Sequence, residues 1–225
     1  MDRKPPPHHT THVQETVAAV LQVRAGSLQA LLWRRALPPA RGRWALPGGR
    51  LEHETLERAI RRHLAVKVDV REVSHLEQLE THADVRSGVV TTAYLGLVRT
   101  GLDPAVPDDT AWHPVDELPP TAFDHGSFVL AGRDRLRAKL SYTNLGFALA
   151  PETFTISELR GLYAAALGRS VSATNLQRVL LRRRVLEPTG ERRSPGRAGG
   201  RPAEVFRFRR AELEITDPFA VLRPR

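Results

Sequence analysis

The sequence predicts an α/β protein in two units, an α/β/α sandwich over residues 12–148 and a winged helix-turn-helix over residues 149–225. Three observations carry this expectation. Between residues 14 and 98, apolar runs of strand-forming composition bracket a segment with helical spacing, as in mixed elements folded around a shared core. Past residue 150 the order becomes helix, turn, helix, then two short strands about a Gly/Arg-rich tip. The charge also divides there. Net charge is +9, and residues 151–225 hold 15 Arg and no Lys against 8 acidic residues, leaving 19 basic and 17 acidic residues in 1–150.

The elements follow in order. Residues 1–11, "MDRKPPPHHTT", lack the apolar stretch of a signal peptide and are expected to be a disordered tail. "QETVAAVLQVR", 14–24, and "LQALLWR", 28–34, are expected strands around a turn at Ala25-Gly26. "ALPPARGR", 36–43, is a loop by its Pro and Gly content. A helix is expected from Glu54 to Val66, because Leu56, Ala59, Ile60 and Leu64 share helical spacing. "GVVTTAYLGLV", 88–98, reads as a strand, "DPAVPDDTAWHPVDELPP", 103–120, as a long Pro-rich loop, and 124–140 as a helix. The unit boundary is placed within 146–153, "GFALAPET".

Then Thr155 to Glu158, "TISE", has the spacing of a capping box. Ile156, Leu159, Leu162, Tyr163 and Ala166 form one face of the helix it opens, and Gly168 closes that helix. Ser172 is expected to cap a second helix over 173–184, before a short strand, the Gly/Arg tip and a returning strand at 203–209.

Composition narrows the function classes. Hydrophobic residues make up 41%, enough for a packed core, and the absence of cysteine excludes disulfides and thiolate zinc sites. No apolar run of about 18 residues is present, so no membrane span is expected and the cytoplasm is the expected location.

The arginine-rich last third points to a polyanion. On the second helix Leu176, Val179 and Leu180 share one face, while Thr174, Asn175, Arg178 and Arg182 lie on the other. Asn pairs bidentately with adenine and Arg with guanine, so this face suits a DNA major groove. Arg192, Arg193, Arg197 and Arg201 flank the Gly-rich tip, where flexible guanidiniums suit phosphates or a narrow minor groove. One winged helix reads few base pairs, so a homodimer on a palindromic double-stranded operator is expected.

The segment "WALPGGRLEHETLERAIRRHLAVKVDV", 44–70, resembles a Nudix box. The family pattern is a glycine, five residues, Glu, seven residues, then R-E-U-x-E-E-x-G-U, with U aliphatic. Counted from Gly49, four residues precede Glu54; Arg62, Leu64 and Val70 match, whereas His63, Val66 and Lys67 replace the three glutamates and Asp69 the glycine. "WALPGG" and "TAWHPVDELP" also resemble Nudix segments.

Divalent magnesium wants hard oxygen ligands. A helix arc of His63, Val66 and Lys67 offers an imidazole, a methyl pair and an opposing charge, so no metal and no catalytic residue is expected there. Lys67 instead is expected to stand in partly for the cation and hold a diphosphate. Arg62 is expected to make an ion pair inside the box, and Glu52, Glu54 and Glu57 to complement the helix dipole.

With "ELRGLYAAALG", "TNLQRVLL" and "GRPAEVFRF", the chain resembles the Nudix-related transcriptional regulators of NAD metabolism. That resemblance implies a Nudix-like sandwich that senses ADP-ribose or a related NAD-derived nucleotide without hydrolysing it, no cofactor, and repression of genes of NAD synthesis or salvage. Arg35, Trp44, Arg50, Lys67, Arg86 and His125 are the candidate effector contacts. A working Nudix hydrolase with a nucleic-acid module, and a related regulator sensing a sugar-type ligand, are the alternatives.

Overall fold

The structure, a computed structural model, describes residues 13–84, 87–194 and 201–218. The expected tail at 1–11, Arg86 and Arg197 lie outside the described residues. In chain order the first unit runs β1 Val13–Arg24, β2 Ser27–Arg34, β3 Trp44–Ala45, β4 Gly48–Arg50, α1 Leu56–Val68, β5 His75–Asp84, β6 Val89–Leu97, β7 Thr110–Pro114 and α2 His125–Leu140.

All seven strands form one sheet, with β3-β2-β1-β6-β5 side by side, β4 on β1 and β7 on β2. The β1–β2 hairpin turns on Ala25 (φ 47°) and Gly26 (φ 77°), the paired left-handed residues that a two-residue hairpin needs. β1 and β6 run parallel from Val13↔Val89 to Leu21↔Leu97. Both faces of β1 are buried: Ala19 and Leu21 join one apolar cluster, Ala18 and Val20 the other. That double burial is why its sequence is nearly continuous in apolar residues. Ile60, Leu64 and Val68 of α1 pack over Ala18, Val20 and Leu31, and Phe128, Val129 and Leu136 of α2 join Ala19, Leu21 and Leu95. The result is the expected α/β/α sandwich.

Three local expectations change. The expected Glu54–Val66 helix is instead Leu56–Val68, because Thr55 is its N-cap and accepts from the Arg58 amide, while Asp69 ends it in the left-handed region (φ 51°). Residues 103–120 are not all loop, since β7 pairs Ala30↔His113 and Leu32↔Ala111 on β2. β5, not foreseen, pairs along β6 from His75↔Leu97 to Asp84↔Val89.

The second unit contains β8 Phe154–Thr155, α3 Ile156–Leu167, α4 Ala173–Arg182, β9 Leu186–Arg193 and β10 Ala203–Phe208. Its three-stranded sheet has the order β8-β10-β9. The Thr155/Glu158 capping box closes reciprocally, Gly168 (φ 67°) ends α3, and Ser172 caps α4 by accepting from the Asn175 amide. α4 is shorter than expected: Arg183, its C-cap, still donates to the Val179 carbonyl, and the chain then turns left-handed at Arg184 (φ 55°). One apolar cluster runs without a break from Leu21, Leu95 and Leu136 through Phe147 and Leu149 to Leu159, Leu162, Leu176 and Phe206.

Candidate functional sites

The box loop is built by close approach. A Cβ on Gly48 would lie 2.1 Å from the Thr16 carbonyl oxygen and 2.7 Å from the Val17 Cα, and one on Gly49 would lie 2.7 Å from the His63 ring. Only glycines let β4 sit this close to β1 and α1. Counted from Gly48, five residues precede Glu54, so the family spacing is intact and the Gly49 count is corrected. Arg62 donates to Glu54 at 2.5 Å and lies 3.5 Å from Glu52, the ion pair expected inside the box. The Arg62 hydrogen bond is the chief cause holding the Glu54 carboxyl below its usual range. Glu54 is therefore engaged in tying the loop to α1, while Glu57 remains a first-turn acid on α1.

The three replacement residues lie on one arc of α1 but do not share one environment. His63 is buried, and its Nε2 donates to the Arg50 carbonyl at 3.0 Å; burial pushes its pKa down, favouring the neutral ring. Val66 is 78% exposed. The Lys67 ammonium donates to the Gly48 carbonyl at 2.5 Å and sits 4.9 Å from the centre of the Trp33 ring. Burial, then the nearby Arg35 charge, lower its pKa. These side chains do not fit a divalent cation. One oxygen donor faces a fixed ammonium instead, and among the described residues no group of three His, Asp or Glu is arranged to hold a metal. The adjoining cleft of about 520 Å³ is lined by Glu52, His53, Glu54, Arg58 and Arg62.

Five of the six candidate effector residues gather about the 43–50 segment: Trp44 and Arg50 belong to it, Lys67 and His125 bond to Gly48 and Leu46, and the Arg35 amide donates to the Arg43 carbonyl. Trp44 bridges to Thr121, and its carbonyl accepts from the Ala122 amide. Its ring meets His113 edge-on at 4.5 Å, and the Arg34 guanidinium lies 4.8 Å from its centre. Arg35 sits 4.7 Å from the Phe123 ring, which lies 5.6 Å from His125. The Arg35 charge lowers the pKa of both Lys67 and His125, which puts it within electrostatic reach of each. His125 is 7% exposed and its Nδ1 accepts from the Leu46 amide at 2.9 Å. Burial is the first cause bringing its pKa down to about 4, so the ring is a neutral structural acceptor. Arg50 is exposed, and its backbone rather than its side chain meets His63.

Sequence reasoning missed Trp33, Arg34, His113 and Phe123, which face these residues. Trp33 and Arg34 alternate along β2, a signal that was available. His113 and Phe123 arrive only through β7 and the turn before α2.

On the second unit Thr174, Asn175, Arg178 and Arg182 are all exposed, while Leu176 and Leu180 are buried. Arg178 donates to Asn175 Oδ1 at 2.7 Å, so two candidate base readers are held side by side. In the wing, Arg192 and Arg201 are exposed, whereas Arg193 reaches both carboxylate oxygens of Glu158 at 2.7 Å. Glu158 thus caps α3 and clamps β9, and its carboxyl is held below its usual range.

Two family models match the chain: the NUDIX domain over residues 13–131 and the NrtR DNA-binding winged helix domain over residues 146–208. The chain is 29% identical over 219 residues to the ADPR responsive transcriptional repressor NtrR of Acinetobacter baylyi, covering 92% of this chain and 86% of that protein. Its fold is similar to the crystal structure of Shewanella oneidensis NrtR, with 31% identity, a TM-score of 0.76, and coverage of 87% of this chain and 94% of that one. The same protein complexed with a 27mer DNA matches at 29% identity and a TM-score of 0.74, covering 87% and 93%. Its NUDIX domain complexed with ADP ribose matches at 29% identity and a TM-score of 0.51, covering 59% and 94%. With its NUDIX domain, its NrtR-type winged helix and this likeness across nearly the whole chain, the protein belongs to the NrtR family.

Proposed function

We propose that this protein is a DNA-binding transcriptional repressor of NAD synthesis or salvage genes, controlled by ADP-ribose or a related NAD-derived nucleotide. Residues 12–148 bind the effector and residues 149–225 read a palindromic operator as a homodimer in the cytoplasm. Among the described residues no helix is long and apolar enough to cross a membrane. The observation that carries the reading is the Lys67–Gly48 contact: the protein's own ammonium occupies the box where the family pattern has carboxylates. The domain is therefore a binder and not a hydrolase. Arg35, Arg50 and Lys67 supply positive charge for a diphosphate, and Trp44 with its Arg34 and His113 neighbours supplies a flat wall. The relatives carry the two ends of the reading, one named as ADPR responsive and one solved with DNA and with ADP ribose.

The test pairs two assays. An operator selected from random duplexes is titrated with ADP-ribose and NAD in a gel shift, and a change in operator affinity with one of them is expected. Magnesium-dependent hydrolysis of ADP-ribose is measured alongside. Robust turnover that Glu54→Gln abolishes would establish the hydrolase instead.

A further inference from the structure

Arg99, immediately after β6, has a partly buried guanidinium with no hydrogen bond, ion pair or ring contact among the described residues, and its Nε is shielded from solvent without a partner. An enclosed cation without a counter-charge is costly. Its backbone is held in place: Gln22 Nε2 donates to the carbonyls of Arg99 at 2.8 Å and Leu102 at 2.7 Å. Arg99 forms a wall shared by two clefts. The larger, about 600 Å³, also receives Arg61, Arg71, Ser74 and Thr100, and the smaller, about 150 Å³, receives Arg207 and Arg210.

Four of these arginines have carboxylate partners, Arg61 on Glu57, Arg71 on Asp69, Arg207 on Glu187 and Arg210 on Glu214. Such exposed pairs are weak and exchangeable. Glu72 and Glu152 also line the larger cleft, and neither pairs with Arg99. None of Arg35, Trp44, Arg50, Lys67 or His125 lines it, so it is separate from the effector surface. Its walls come from both matched regions, Arg61 to Leu102 from the first and Pro151 and Glu152 from the second, while Arg207 and Phe208 line the smaller cleft.

We infer that this cleft is a second anion site, taking a small di- or triphosphate compound between the two units. Concavity and a volume within the roughly 300–1,000 Å³ of small-molecule sites favour such a ligand over a duplex backbone. The Ser74 hydroxyl and the open backbone at Gly101 (φ 97°) suit phosphate oxygens. A ligand there touches the first unit and the Pro151-Glu152 segment that leads into β8 together, so it biases how the second unit is held.

Isothermal titration of the full chain with ATP, and separately with inorganic pyrophosphate, tests this. Each titration is run with and without ADP-ribose, so failure of the effector reading leaves the measurement intact. Both probes are expected to bind at one site, with affinity unchanged by ADP-ribose. Arg99→Gln is expected to weaken both at least tenfold without lowering Tm, since it removes an unpaired charge. Absence of binding, equal affinity in Arg99→Gln, displacement by ADP-ribose, or a fall in Tm accompanying the loss overturns the inference. So does weaker operator binding by Arg99→Gln when neither probe binds, which assigns the arginines to DNA.

Discussion

The ammonium of Lys67 donates to the carbonyl oxygen of Gly48 at 2.5 Å, tying the last turn of the box helix to the glycine loop that precedes it. A fixed charge is thereby placed where a metalloenzyme would recruit a soluble one. ADP-ribose binding should accordingly be the same in magnesium and in EDTA. Lys67→Glu should weaken it by at least about tenfold, roughly 1.4 kcal/mol. A calorimetric titration in both buffers checks this, and affinity that depends on magnesium would remove the cation role from Lys67.

Acid stability should fall in two stages. His125 titrates at about 4 when folded against 6.5 unfolded, so its contribution is fully present above pH 6.5 and is lost as pH falls toward 4. That interval corresponds to at most about 3 kcal/mol. His63 and His113 are shifted the same way by burial, so their contributions too are lost as pH falls below 6.5. Despite its burial, Glu77 is held at about 2, because His75 and Lys139 donate hydrogen bonds to its carboxylate; Arg135 also donates to it. Its contribution is present above pH 4.5 and disappears as pH falls toward 2. Urea midpoints measured from pH 8 to pH 3 should show the first decline in the wild type. A flatter profile is expected in His125→Asn, whose amide oxygen can still accept from Leu46.

Two glycines should respond oppositely to alanine. Gly48→Ala drives a methyl into the backbone of β1, with Thr16 O at 2.1 Å, and should cost at least about 3 kcal/mol or abolish folding. Gly161, exposed within α3, has nothing within 4 Å of an added Cβ. Gly161→Ala should gain about 0.5–1 kcal/mol by restricting the unfolded chain. Thermal melts of both variants decide it; a lower Tm for Gly161→Ala would refute the second half.

The wing arginines should separate by role. Arg192 is exposed with no ion pair among the described residues, so Arg192→Ala should weaken operators of every sequence alike and lower the salt slope by about 1. Arg193 is committed to Glu158, so Arg193→Ala should loosen the hold of β9 on α3. Asn175→Ala should instead relax base preference, at about 1–3 kcal/mol for the affected base pair. Competition binding against operator variants distinguishes the three.

Much of this fold was legible because its signals are local. The Ala25-Gly26 turn, the Thr155–Glu158 capping box, the Ser172 cap and Gly168 are each specified within a few residues. β5 was not legible, because "HLEQLETHAD" lies at a sheet edge, mostly exposed, and is a strand only by virtue of its pairing with β6. β7 hid among prolines for the same reason, since only β2 reveals it. At the candidate site, residue types announced a missing metal, yet the partners of Lys67 did not. Trp33 and the Gly48 carbonyl reach it from β2 and β4, distances in sequence that periodicity does not span.

The apolar cluster that passes from Leu21 through Phe147 to Phe206 has a practical consequence for anyone recombining these modules. A chimaera spliced near residue 148, with a winged helix from another regulator, would set Leu159 and Leu162 against a surface never shaped for them. Successful grafts will need to carry Phe147, Leu149 and the facing side chains of α2 as one inherited block. The natural cut in this protein is therefore a packing seam, not a linker.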